Sequence, residues 1–213
     1  MACAICEVRR PRRICPGVRG EICSICCGTE REVTVACPLD CEYLRDARKH
    51  DRPVPFDPAT AGDPDIRLTE ELLDRNEVLL AFLVERLIGV AVATSGVVDS
   101  DVREALQALI RTFRTLASGL YYQTVPPNPL AAGIFRALEK ACEEFRKQET
   151  ASLGMTRTHD SDVLAMLVFL ERMELDRNNG RRLGRAFIDS LRQSYPTVAS
   201  APAGSDFSPL VIP

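Results

Sequence analysis

Eight of the nine cysteines in this 213-residue chain fall within its first 41 positions: Cys3, Cys6, Cys15, Cys23, Cys26, Cys27, Cys37 and Cys41. The ninth, Cys142, stands alone. A segment so dense in sulfur is organised by disulfides or by metal ions, and the compartment decides between them. No charged-then-apolar leader is recognisable, and the longest uncharged apolar runs, 78–84 and 87–98, fall short of the roughly 18 residues that span a bilayer. The chain therefore reads as cytoplasmic with no membrane partner, and a metal framework is the stronger expectation. Chance burial of apolar cysteines does not account for three close pairs in so short a stretch.

Spacing and charge point to zinc. Cys3-x-x-Cys6 and Cys23-x-x-Cys26 have the separation of a zinc ribbon, and two residues between thiolates let the backbone wrap one ion. Four thiolates close a tetrahedral shell, which leaves Cys15, Cys27, Cys37 and Cys41 for a second ion. The adjacent Cys26 and Cys27 diverge along the backbone, so each serves a different ion and the two sets interleave. Two Zn2+ per chain follow, with an iron–sulfur cluster as the alternative use of four cysteines.

This interleaving resembles the cross-braced binuclear zinc modules of the B-box, MYND and HIT-finger type over residues 3–50. The resemblance implies their fold class and their habit of binding partners. Two departures stand out. Val18 occupies the place where those families pair a ligand with the third cysteine, and His50 is the only histidine for their terminal ligand pair. If His50 were a ligand, Cys27 or Cys15 would be left over. Within Arg48-Lys49-His50 it reads as a solvated surface residue.

Local patterns fill in the module. Cys15-Pro16-Gly17 is a turn, Ile22 and Val33–Val35 are expected on short strands, and 37–45 reads as a knuckle entering a helix whose Tyr43 and Leu44 cover a metal. So small an α+β segment buries little apolar surface, so the ions should supply much of its folding free energy. The Arg9–Arg13 stretch is locally basic, yet residues 1–52 carry only +2, which becomes −2 with eight thiolates and two Zn2+. Nucleic-acid readers show a one-sided excess. Arginines beside thiolates have an electrostatic reason to be there as counter-charges.

Residues 51–66 read as a Pro-rich linker in which Phe56 is available for docking. An all-α bundle of about five helices then fills 67–196. Thr69 caps the first, apolar nearly all round and so read as the central helix. Ser100 or Asp101 opens the second, and Asn128-Pro129 the third, whose apolar stripe includes Cys142. Asp160-Ser161-Asp162 opens the fourth, which stops at Asn178-Asn179-Gly180; the fifth carries Leu183, Phe187 and Leu191. The strings Asp99-Ser100-Asp101-Val102 and Asp160-Ser161-Asp162-Val163 read as one capping solution used twice. The tail 197–213 is small and Pro-rich, reads as disordered, and contains the apolar stretch Phe207–Ile212 as a docking peptide.

No zincin, serine-hydrolase, phosphate-loop or dinucleotide motif is present, and two histidines are a thin inventory for acid–base work. Glu70/Glu71 and Glu143/Glu144 read as solvated faces. Tyr121-Tyr122 and the Arg181, Arg182, Arg185 cluster are the nearest approach to a helical active site, but read as helix-end packing and a solvated face. The expected function is a zinc-binding, non-enzymatic adaptor or regulator with protein partners, and spare apolar surface on the bundle is compatible with a homodimer. The alternatives are a nucleic-acid-associated regulator using Arg9–Arg13 and a redox-responsive zinc switch with Cys26 and Cys27 as reactive thiols.

Overall fold

The computed structural model describes residues 2–51, 62–120 and 122–195. Phe56, Tyr121 and the tail beyond Tyr195, and the expectations attached to them, lie outside the described residues. The chain is a small cysteine-rich module, with one two-stranded sheet, followed by a helical body.

In the module, β1 (Arg13–Cys15) pairs antiparallel with β2 (Gly20–Ile22), with Ile14 opposite Glu21. Two short helices follow, α1 (Ser24–Glu30) and α2 (Glu42–Arg48). Ile22 lies on a strand as expected, but Val33–Val35 does not. The amides of Val33, Thr34 and Val35 all donate to the Glu30 carbonyl, and Glu32 sits at φ +54°, so the segment closes into a turn. Only one bridge, Arg31 with Val35, remains.

Among the described residues six helices build the body: α3 (Glu70–Arg75), α4 (Glu77–Ala93), α5 (Asp99–Ala117), α6 (Pro129–Leu153), α7 (Asp160–Arg177) and α8 (Ala186–Ser194). The expected first helix is thus divided at Asn76. Its side-chain amide donates to the Leu72 carbonyl, capping α3, while its own carbonyl accepts from Leu80 and carries the chain on into α4. Helix α4 touches α3, α6, α7 and α8, which is the central position its apolar circumference demands. Among the described residues, no helix is long and apolar enough to cross a membrane.

Capping follows the sequence closely. Asn128 accepts from the Leu130 amide at 3.0 Å, Pro129 occupies the first turn, and Gly154 closes α6 at φ +75°. Asp101 accepts from the Val98 amide and Asp162 from the His159 amide, so the repeated string does cap two helices alike. Its first aspartates part company: Asp160 pairs with Arg146, whereas Asp99 is buried against α8. Cys142 is buried in the main core, and burial pushes its thiol up to about 12.

The module is seated on the helical body. Leu39 belongs to the main hydrophobic core, although it lies between two cysteines of the module. Glu32, 1% exposed, accepts from Arg48 Nη2 at 2.8 Å, Asn179 Nδ2 at 2.8 Å and the Arg185 amide at 3.1 Å. Arg48 also pairs with Asp189 of α8, and Arg181 donates to the Arg31 carbonyl at 2.8 Å. Arg181 and Arg185 are therefore junction residues, which corrects the solvated-face reading. The far end of the expected linker is also held: Asp63 and Asp65 pair with Arg114, and Arg172 donates to the carbonyls of Asp63 and Ile66.

Candidate metal centre

Cys3, Cys6, Cys23 and Cys26 converge, their sulfur atoms all lying within 4.8 Å of one another. Two knuckles bring them together. In the first, the Glu7 amide donates to the Cys3 carbonyl at 2.8 Å and Glu7 turns to φ +54°, folding the chain back after Cys6. The second is the first turn of α1: Cys23 is its N-cap, and its sulfur accepts from the Cys26 amide at 3.4 Å. The two knuckles are tied by the Cys23 amide donating to Cys3 Sγ at 3.2 Å and the Ala4 amide donating to the Glu21 carbonyl at 2.9 Å. Around them Cys3, Ile22, Cys23 and Cys26 form a small buried cluster, and Leu44 and Val35 are the module's other buried apolar side chains besides Leu39.

The four thiols share charge unevenly. Burial by itself raises the Cys3 thiol, but hydrogen bonds from the backbone of Cys6, Cys23 and Ile5 outweigh it and bring it down to about 6. The Cys26 amide likewise lowers Cys23. Cys26 is pushed up to about 12, first by burial and then by the sulfurs of Cys23, Cys6 and Cys3. Four sulfurs so close cannot all ionise against one another; a divalent cation among them removes that conflict. Arg9 supplies part of the compensation: its guanidinium hydrogen-bonds Cys23 and feels the charge of Cys6, which raises its pKa. Soft donors at this mutual distance fit a tetrahedral thiolate-bound metal.

The remaining cysteines are brought to one place less tightly. Cys15 ends β1, Cys27 lies on α1, and Cys37 and Cys41 flank the turn before α2, where Cys41 is the N-cap. All four line one small cavity together with Tyr43 and Leu44. Among the described residues, however, only the first set has its ligand atoms within 4.8 Å of one another. Arg13 donates to Cys27 Sγ at 3.1 Å while stacking 4.5 Å over the Tyr43 ring, and Arg31 approaches the same sulfur at 3.9 Å. Burial raises the Cys37 thiol; a hydrogen bond from the Glu32 backbone opposes this, while the charges of Glu32, Cys41 and Cys15 add to the rise. Gly17 permits the close approach of the loops here, since a Cβ at that position would lie 2.6 Å from the Ala36 carbonyl oxygen.

His50 is exposed at the end of α2 and belongs to neither set. Sequence reasoning missed the junction residues Glu32, Asn179 and Arg185. Nothing local marks them for this role, because Glu32 meets Asn179 and Arg185 across 147 and 153 residues of chain. Comparison with family models, curated proteins and solved structures finds no match to this chain.

Proposed function

We propose that the protein is a zinc-binding, non-enzymatic adaptor or regulator whose module holds two Zn2+, one on Cys3, Cys6, Cys23 and Cys26 and one on Cys15, Cys27, Cys37 and Cys41. The convergence of the first four sulfurs within 4.8 Å carries this reading. Four thiolates fill a zinc shell and give a substrate no open position, so the ion's role is structural. The shared cavity of the second four supports the second ion. Protein partners are favoured by the apolar side chains that the module presents to solvent, with Val8 85%, Ile14 74% and Ile25 53% exposed. Nucleic acid is the weaker reading because Arg9 and Arg13 are both turned onto sulfur.

The test is metal content of the purified full-length chain beside Cys23→Ser and Cys15→Ser. Two zinc ions, with each variant losing one and the helical body intact, are expected. One zinc ion in the wild type would remove the second site, and iron would overturn the structural reading. For the adaptor role, a partner retained by the wild type should be lost from Val8→Glu/Ile14→Glu at unchanged zinc content.

A further inference from the structure

A groove of about 530 Å³ runs along the junction of module and helical body. One wall is Pro16–Gly17 and 36–38 of the module; the other is Val92–Val98 at the α4–α5 turn, with Leu183 and Arg185 at its end. The lining is small and apolar, and Val92 is 45% exposed there. Arg185 is the one charged side chain on it. Its Nη2 donates to the Ala91 carbonyl at 3.1 Å, and its Nε is buried without a hydrogen-bond partner. Asp99, Glu32 and Asp189 lend it a favourable field, but among the described residues no carboxylate hydrogen-bonds the guanidinium.

The C-terminal segment of this chain has the complementary chemistry. Within 197–213 the single charged residue is Asp206, and Phe207-Ser208-Pro209-Leu210-Val211-Ile212 follows it. Reach is sufficient. Arg185 is the N-cap of α8, and nine helical residues carry the chain only about 14 Å from it at roughly 1.5 Å per residue. The residues from Tyr195 to Asp206 span up to about 36 Å when extended, more than twice that distance.

We propose that this groove is a peptide-docking site and that its occupant is the chain's own segment Asp206–Ile212, with Asp206 paired to Arg185 and the apolar residues lying along Val92–Val98. Proline at 209 suits an extended strand of peptide, and docking in cis gives a high effective concentration without a large interface. The site goes beyond the zinc-adaptor reading but rests on it in one respect, since its module wall includes Cys37, a ligand proposed for the second ion. It would make the junction groove self-covered, and open to an outside peptide of the same acidic-then-apolar pattern only on displacement.

Hydrogen exchange on the full chain tests this, comparing wild type with Phe207→Ser/Leu210→Ser. The amides of 92–98 are expected to exchange roughly tenfold faster in the variant, with the zinc content unchanged. A labelled peptide of residues 205–213 should bind the variant and be excluded from the wild type, and Val92→Glu or Arg185→Gln introduced into the variant should abolish that binding. Unchanged exchange at 92–98 together with no peptide binding would overturn the proposal. Protection that appears only with a doubling of mass would overturn it too, since the occupant would then be a second copy.

Discussion

Asn179, just beyond α7, donates through its side-chain amide to Glu32 of the module at 2.8 Å, joining the two parts of the molecule across 147 residues of chain. Glu32 is also the acceptor for Arg48 and for the Arg185 backbone, so three donors from three segments close on one buried carboxylate. The cysteine-bearing loops on either side of Glu32 are thereby fixed to the helical body rather than left on a tether.

Replacing Glu32 tests that junction. Glu32→Ala leaves Asn179 and one side of Arg48 without an acceptor in a buried setting, at an expected cost of roughly 3–5 kcal/mol. Urea unfolding of the full chain reads it. A loss below about 1 kcal/mol would mean that water replaces the carboxylate and that the module is held mainly by Leu39.

Removing the metal should act unevenly. The module has two three-residue strands and a small buried cluster made largely of cysteine, so a strong chelator is expected to unfold it while α4–α8 keep their helicity. Limited proteolysis should then cut within residues 2–51 first, with most of the far-ultraviolet helical signal retained. Loss of all helicity on chelation would make the body dependent on the module.

Asp99 gives a pH dependence. It is 4% exposed and accepts from the amides of Phe187 and Ile188, capping α8 from α5. Burial outweighs those two bonds and raises it from 3.8 to about 7, with Glu174 and Glu32 adding to the rise. Because the folded value lies above the unfolded one, its contribution is complete below about pH 4 and is lost as pH rises through about 7. Stability should fall across that window with a slope of up to about 1.4 kcal/mol per pH unit. Asp99→Asn should flatten the slope and lower stability at the acidic end of the window, since an amide cannot accept both bonds. An unchanged slope in the variant would assign the pH dependence elsewhere.

Cys142 separates packing from ligation. It lies in the core of the helical body, so Cys142→Ala should cost about 1 kcal/mol and leave the zinc content untouched. Asn128→Ala should cost about as much by removing the α6 cap, and more if its 2.6 Å bond to Asp101 contributes. Differential scanning calorimetry and metal analysis on both variants check the pair.

What the sequence determined by itself was local. Cys3-x-x-Cys6 and Cys23-x-x-Cys26 announce a four-sulfur group, Asn128-Pro129 and the two Asp-Ser-Asp-Val strings announce helix starts, and the stripe through Cys142 announces a buried face. Each rests on interactions between residues a few positions apart, whose geometry the backbone dictates wherever the helix or knuckle forms. Tertiary structure decided the rest. It divided the first body helix at Asn76, turned 33–35 away from a strand around Glu32, and drew Arg181 and Arg185 off the surface onto the module. It brought Cys15, Cys27, Cys37 and Cys41 to one cavity without closing their sulfurs to the distance of the first set. Those outcomes depend on partners that only folding brings near: Arg48 meets Asp189 over a separation of 141 residues, and Glu32 meets Arg185 over 153. No periodicity in a chain encodes which distant donor a buried carboxylate will find.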